Sequence, residues 1–265
     1  MSDEARWSAS MPEIYDECLG PALFAPFAAH LGQVAASGDP RRVLEIAAGT
    51  GIATAELVRN LPDARITATD LNPAMVEWAA ERVPEAQWEQ GDATRLRFSD
   101  GSFDLVVCQF GVMFFPDKPA AFAEAARTLG VGGRLLFCTW DVVEASPFPA
   151  AMVAALQTVL PEDPPDFIGR VPHGYHSVDR IERDLRAGGL EVLSLDRVVL
   201  RGHAVSAESL TRGFCLGTPL RFALAERGSP AELVPALESE MVALLGDGPL
   251  SADLAAYVVV ATPML

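Results

Sequence analysis

The stretch Val43 to Thr54, VLEIAAGTGIAT, passes from an apolar strand pattern through a glycine turn directly into a helical pattern. A chain built this way folds as an α/β protein, because a crossover helix is what returns the next strand parallel to the last. The alternation persists from about Arg42 to Trp140. Strands are expected at Val43–Ala47, Arg65–Thr69, Gln87–Gln90, Phe103–Gln109 and Arg134–Trp140, and helices at Ile52–Asn60, Pro73–Arg82 and Pro119–Leu129. Breaks at Pro62, Pro84 and Gly130 close those helices, and Asn72-Pro73 opens one, with asparagine as N-cap and proline at the first helical position.

Outside this segment the pattern is less regular. Met11–Leu19 and Pro21–Ala36 read as helices ahead of the sheet. After Trp140 come a helix near Phe148–Leu160, the proline-rich PEDPPDFIGRVPHGY, a helix near Val178–Ala187 and a strand near Leu190–Leu200. A helical stretch over Ala207–Leu245 precedes a last strand in AAYVVVATP. The chain divides on this reading into an N-terminal helical cap (1–40), a core that holds the ligand (41–142) and a second half (143–265), all within one domain of 265 residues. The insertion at about 206–248 is either a substrate-side lid or an oligomer contact, such as that of a homodimer.

Charge narrows the partners. With 20 basic against 36 acidic residues the formal net charge is −16, which repels a phosphate backbone, so nucleic acid is not expected. The four cysteines form no C-x-x-C pair, and Cys108 and Cys138 sit in apolar strand runs, as reduced thiols do. The N-terminal residues MSDEARWSASMPEIYDE lack an apolar h-region, and no segment reaches the roughly 18 uninterrupted apolar residues of a membrane span. A cytoplasmic protein without a membrane span is expected.

The glycine turn restricts the ligand. A dinucleotide fingerprint needs a third glycine where Thr54 stands, and a phosphate P-loop needs a lysine, whereas the only lysine is Lys118. Glu45, at the carboxyl end of the first strand, opposes a pyrophosphate and favours an ammonium group. Asp70 ends the second strand, where a carboxylate can accept both hydroxyls of a ribose; Asp92 follows the third, where it can accept from an exocyclic amine. Both aspartates are equally natural turn residues. Parallel strands bring their carboxyl ends to one edge, so Glu45, Asp70, Asp92 and Gln109 should meet in one crevice. Ammonium, ribose and adenine together describe S-adenosylmethionine.

The segments VLEIAAGTG, TDLNPAMVEWA, GDATRLRFSDGSFDLVVCQFGVMFF and LGVGGRLLFCTW resemble, in order and spacing, the class I S-adenosylmethionine-dependent methyltransferases. The resemblance is to the small-molecule group that includes the ubiquinone/menaquinone-biosynthesis C-methyltransferases. It implies a Rossmann-like, doubly wound, mostly parallel sheet of seven strands with helices on both faces and an antiparallel last strand. It implies S-adenosylmethionine as cofactor and S-adenosylhomocysteine as product. One departure stands in the pattern E-x-G-x-G-x-G, where Ala47 replaces the first glycine.

By the resemblance, Glu45, Ala47, Gly49 and Gly51 line the methionine moiety, Asp70 the ribose, and Leu71 and Met75 the adenine face. Asp92 takes the adenine amine, Ala93 offers a backbone amide, and Gln109 and Phe110 lie along the methionine side. Tyr15 resembles a tyrosine that folds over the cofactor. Met113, Phe114 and Trp140 are candidates for an apolar wall against a small, apolar or aromatic acceptor methylated at carbon or oxygen, and are equally ordinary core residues. His173, Tyr175 and His176 are candidate general bases. The two histidines are not supported by a metal-binding cluster, so no metal is expected. Two rivals stay open. A nicotinamide oxidoreductase would need a Tyr-x-x-x-Lys pair, and Lys118 has Phe114 four residues before it; a non-catalytic protein could keep the cofactor fold without turnover.

Overall fold

A computed structural model describes residues 11–264; the first ten residues of the expected cap lie outside them. Seven strands form one sheet in the order β3-β2-β1-β4-β5-β7-β6. The strands are β1 (Arg42–Ile46), β2 (Arg65–Asp70), β3 (Gln87–Gln90), β4 (Phe103–Gln109), β5 (Leu129–Trp140), β6 (Leu190–Ala204) and β7 (Leu250–Pro263). β1 to β5 run parallel, and β7 runs antiparallel to β5, with Cys138 opposite Val258. This is the doubly wound Rossmann-like sheet that the resemblance implies. The order reverses at β1, and the crevice at such a switch point is where open α/β sheets hold ligands.

Contacts divide the chain into two compact units. One comprises residues 27–140, 175–198 and 256–265 and contains the parallel strands. Its helices are α2 (Ala25–Ala36, from Phe27 on), α3 (Ile52–Asn60), α4 (Pro73–Arg82), α5 (Lys118–Thr128) and α8 (Val178–Ala187). Val43, Leu44, Leu105, Val106, Leu135, Leu136 and Phe137 are buried in the central strands, the continuous apolar runs expected of strands covered on both faces. α4 begins as its sequence predicts: Asn72 Oδ1 accepts from Ala74 N at 3.0 Å with Pro73 at the first position. β5 starts earlier than expected, at Leu129, with an irregular register against β4 between Phe103 and Leu105.

The other unit comprises residues 1–26, 141–174 and 199–255. It packs α6 (Pro147–Val159), α7 (Phe167–Arg170), α9 (Ala207–Gly217), α10 (Leu220–Ala225) and α11 (Pro230–Leu245). The stretch expected as one helix over Ala207–Leu245 is thus three. The breaks fall at Pro219 and at Ser229-Pro230, where proline removes a donor and pushes the preceding residue out of the helical region. The two helices expected before the sheet are instead one run, Met11–Ala36. It opens as α1 (11–14), continues as a π-helix over Tyr15–Phe24 that contains Pro21, and becomes α2. Ala25 N donates to Gly20 O, the five-residue bond of a π turn, in the stretch that carries Pro21. α9 approaches this run through Gly213 and Gly217, where an added Cβ would stand 2.6 Å from Leu19 and 2.9 Å from Tyr15. By length and hydropathy Met11–Ala36 could cross a membrane, yet 61% of its apolar window is buried in the protein, as in a core helix.

At Ala47 the backbone adopts φ 54°, a left-handed conformation that an L residue with a Cβ disfavours. Gly111 faces it, and a Cβ there would lie 2.6 Å from Ala47 Cβ and 2.7 Å from Cys108 Sγ. The glycine absent from the first turn is matched by one that clears space for the alanine. Gly111→Ala is therefore expected to cost about 1–3 kcal/mol by overpacking. Adding Ala47→Gly should restore part of it, by removing one of the two clashes and about 1–2 kcal/mol of left-handed strain. Denaturant titration of the double-mutant cycle checks this, and additive losses would refute it.

Candidate cofactor site

The site is built on the ends of β1 and β2 and the turn into α3. Ala47, Gly49 and Gly51 all have positive φ (54°, 59° and 86°), so the backbone coils tightly between strand and helix. Gly51 is the left-handed N-cap of α3, and a side chain on it would meet Trp88 and Ala79 at 3.2 and 3.3 Å. At Gly49 an added Cβ would meet nothing within 4 Å, so the turn opens onto space at that residue. Ala48 N donates to Thr69 O at 3.0 Å and fixes the turn against β2.

Glu45 lies beneath this turn, 1% exposed. Its Oε2 accepts from the Thr54 hydroxyl at 2.6 Å, whereas its Oε1 is buried with no hydrogen-bond partner. Burial raises the Glu45 carboxyl to about 8; the Thr54 hydrogen bond opposes the rise and the nearby Asp70 charge adds to it. A buried carboxylate with one oxygen unsatisfied is costly unless a donor arrives, and an ammonium is the donor that also supplies charge. The residues present therefore fit the amino-acid end of S-adenosylmethionine.

Asp70 holds two backbone amides. Its Oδ2 accepts from Gly49 N and its Oδ1 from Asn72 N, each at 2.8 Å. Burial raises its pKa, and the amides of Asn72 and Gly49 pull the other way. The turn role and the ligand role are thus compatible, since each carboxylate oxygen has a second lone pair. The aspartate ties the glycine turn to β2 and retains acceptor capacity for hydroxyls.

Asp92 is exposed and forms its own turn: Oδ1 accepts from Thr94 N at 2.8 Å and from Thr94 Oγ1 at 2.7 Å, and the Thr94 hydroxyl lowers its pKa. A cavity of about 450 Å³ is lined by Asp92, Leu71, Gln90, Gly91, Arg95 and Arg97. Leu71 is 66% exposed, an apolar face available to a base. Met75 and Ala93 are buried. Phe110 has φ 52°, an outlier for a bulky residue, and stacks on Trp140 at 3.7 Å between ring centroids, with Phe27 edge-on to both at 5.3 Å. Met113 is buried and Phe114 half exposed, and Lys118 Nζ caps their turn by donating to Met113 O and Phe115 O.

The remaining candidates are distributed differently. Tyr15 belongs to the other unit and stacks on Phe24 at 4.8 Å. Tyr175 is buried; its hydroxyl donates to Asp184 at 3.1 Å, Lys118 lies over its ring, and burial raises its pKa. His173 is buried, with Nδ1 2.7 Å from Asp141 O. A carbonyl only accepts, so Nδ1 carries the proton and Nε2 is the basic nitrogen of the neutral ring. His176 is half-buried. Thr54 enters the sequence reading only where a third glycine would stand; that reading misses its hydroxyl, which donates to Glu45. Arg95 and Arg97 carry no motif that would have flagged them.

Residues 44–137 match the family described as a methyltransferase domain. A curated relative, the demethylmenaquinone methyltransferase of Deinococcus radiodurans, is 38% identical over 127 residues, covering 46% of this chain and 53% of the relative. The Beutenbergia cavernae protein of the same name is 38% identical over 119 residues, covering 45% and 49%. The chain thus matches about half the length of these relatives. Among solved structures, the YcgJ protein of Bacillus subtilis aligns with a TM-score of 0.56 at 20% identity, covering 89% of this chain and 99% of that one. At that identity the likeness is one of fold. The matched segment runs from within β1 into β5 and includes the candidate cofactor turn.

The buried Glu45 has a stability consequence. Its folded pKa of about 8 lies above the ordinary 4.5, so between those values the folded protein holds a proton that the unfolded chain has released. Stability from this group falls as pH rises through that window, by up to about 1.4 kcal/mol per pH unit, and levels off above 8. Glu45→Gln removes the dependence. Without ligand it should match wild type near pH 5 and exceed it increasingly up to pH 8; parallel denaturation curves at the two pH values would contradict this.

Proposed function

We propose that the protein is an S-adenosylmethionine-dependent methyltransferase acting on a small acceptor. The observation that carries this reading is the unsatisfied Glu45 Oε1, buried beneath a left-handed turn that opens onto space at Gly49. Glu45 would hold the ammonium, Asp70 the ribose hydroxyls, and Asp92 with Leu71 the adenine. When bound, the cofactor supplies an already activated methyl group on a sulfonium. The chain then has to align donor and acceptor and keep water out. The buried rings of Phe110, Trp140 and Phe27 supply apolar surface next to the end of β4, suited to that exclusion.

The acceptor proposed is apolar or aromatic and methylated at carbon or oxygen. The curated relatives' name, which gives demethylmenaquinone as their acceptor, supports that class. Against a nicotinamide enzyme stands Thr54, in the place where a dinucleotide fingerprint needs its third glycine.

Calorimetric titration of the purified chain decides the cofactor. S-adenosylmethionine and S-adenosylhomocysteine should bind and NAD should not; the reverse would overturn the reading. Asp70→Asn loses charge-assisted hydrogen bonds of about 1.5–3 kcal/mol, so both nucleosides should bind roughly ten- to a hundredfold more weakly. Unchanged affinity would remove the ribose assignment.

A further inference from the structure

Threonines in helices ordinarily turn their hydroxyl back to the carbonyl four residues earlier. Thr128, Thr158 and Thr211 do so here, donating to Glu124, Ala154 and Ala207, and Thr218, just past the end of α9, donates likewise to Phe214. Thr54 does not. It lies in the first turn of α3, wholly buried, and donates to the Glu45 side chain at 2.6 Å. The hydroxyl holds Oε2 in place, and Oε1 is the carboxylate oxygen left without a donor.

We propose that Thr54 is a positioning residue for cofactor recognition: its hydroxyl fixes the Glu45 carboxylate so that Oε1 alone is presented to the ligand's ammonium. The proposal rests on the cofactor reading above and goes beyond it by assigning the geometry and ionisation of Glu45 to a helix residue that touches no ligand. Two functions follow from one bond. It selects the rotamer, since Oε2 is anchored to α3. It also favours the charged carboxylate, because a donor to the ionised form stabilises that form. The other titratable groups facing Glu45 are Asp70 at the end of β2 and Cys108 on β4. Asp70 disfavours the charge, and the buried Cys108 thiol stays protonated. Among the groups that act on Glu45, Thr54 is the one that opposes burial.

The test is titration with S-adenosylhomocysteine from pH 6 to 9 for wild type, Thr54→Val, Thr54→Ser and Thr54→Ala. The ligand's own ammonium titrates alike in every case, so variants are compared at each pH. In wild type, affinity should rise toward pH 8 as Glu45 ionises. Thr54→Val should bind about tenfold more weakly at pH 7, the loss of one hydrogen bond to a charged group, with the rise displaced to higher pH. Thr54→Ser should restore both affinity and profile. Thr54→Ala, which cannot overpack, should repeat the valine result if the valine variant fails to fold. A structural role alone would lower stability without moving the pH profile, and an unmoved profile, or serine behaving as valine, overturns the proposal. Wild-type protein that binds neither nucleoside overturns the cofactor reading instead, and this inference with it.

Discussion

The carboxylate of Glu45 is the constraint around which the rest of the site is organised. A buried, half-satisfied acid is expensive, and the fold meets the cost in part with one hydroxyl; on the proposed reading a ligand's ammonium meets the remainder. The strand cannot move it out, because Glu45 pairs with Ala68 on one side and Val107 on the other. A side chain fixed by two ladders, in a position where it destabilises the empty protein, is what binding energy can relieve. The turn above it then has to let a donor approach, and the left-handed residues at Ala47, Gly49 and Gly51 are the means.

Strain follows from the same requirement. Ala47 and Phe110, both non-glycine residues with positive φ, end β1 and β4, the two strands that flank the switch point. Such conformations cost of order 1–3 kcal/mol each and persist where surrounding structure imposes them. Phe110 is imposed on by its stack with Trp140 and by its amide, which donates to Cys138 O. Ala47 is admitted by the bare backbone of Gly111. Two of the three non-glycine residues with positive φ among the described residues thus stand on the edge of the sheet that carries the candidate site; the third, Asp39, precedes β1.

Much of this was legible before any coordinates. The carboxylates at Glu45, Asp70 and Asp92 were visible because parallel strands with short crossovers must deliver their carboxyl ends to one edge, whatever the side chains do. The ends of α3 and α4 were visible in Pro62, Asn72-Pro73 and Pro84, whose effects are local. What was not legible depends on angles that no residue type specifies. Thr54 reaches Glu45 only because Gly51 sets the entry of α3, and an amphipathic pattern is silent about which hydroxyl turns inward. The break at Pro219 was in plain sight, yet helical periodicity on both sides hid it, since a proline at a first helical position and one inside a helix differ only by the backbone that precedes them. The gathering of residues 1–26, 141–174 and 199–255 into one unit depends on contacts far apart in sequence, which no local pattern encodes.

Asp70 shows why structural and functional readings of one residue need not compete. Its two hydrogen bonds to Gly49 N and Asn72 N are those of a turn residue, and a turn residue was one of the two expectations. Those bonds hold the glycine turn in register with β2 before any ligand is present, so the conformational entropy of ordering it is already spent on folding. A ligand that meets a preformed turn binds more tightly than one that must order it. The aspartate thereby contributes twice, once through the acceptors it still offers and once through the loop it has immobilised. On the proposed reading Thr54 acts in the same way, through Glu45 alone. Two carboxylates then make up the site, Glu45 on β1 beneath the turn and Asp70 at the end of β2 beside it, each held by donors the chain itself provides.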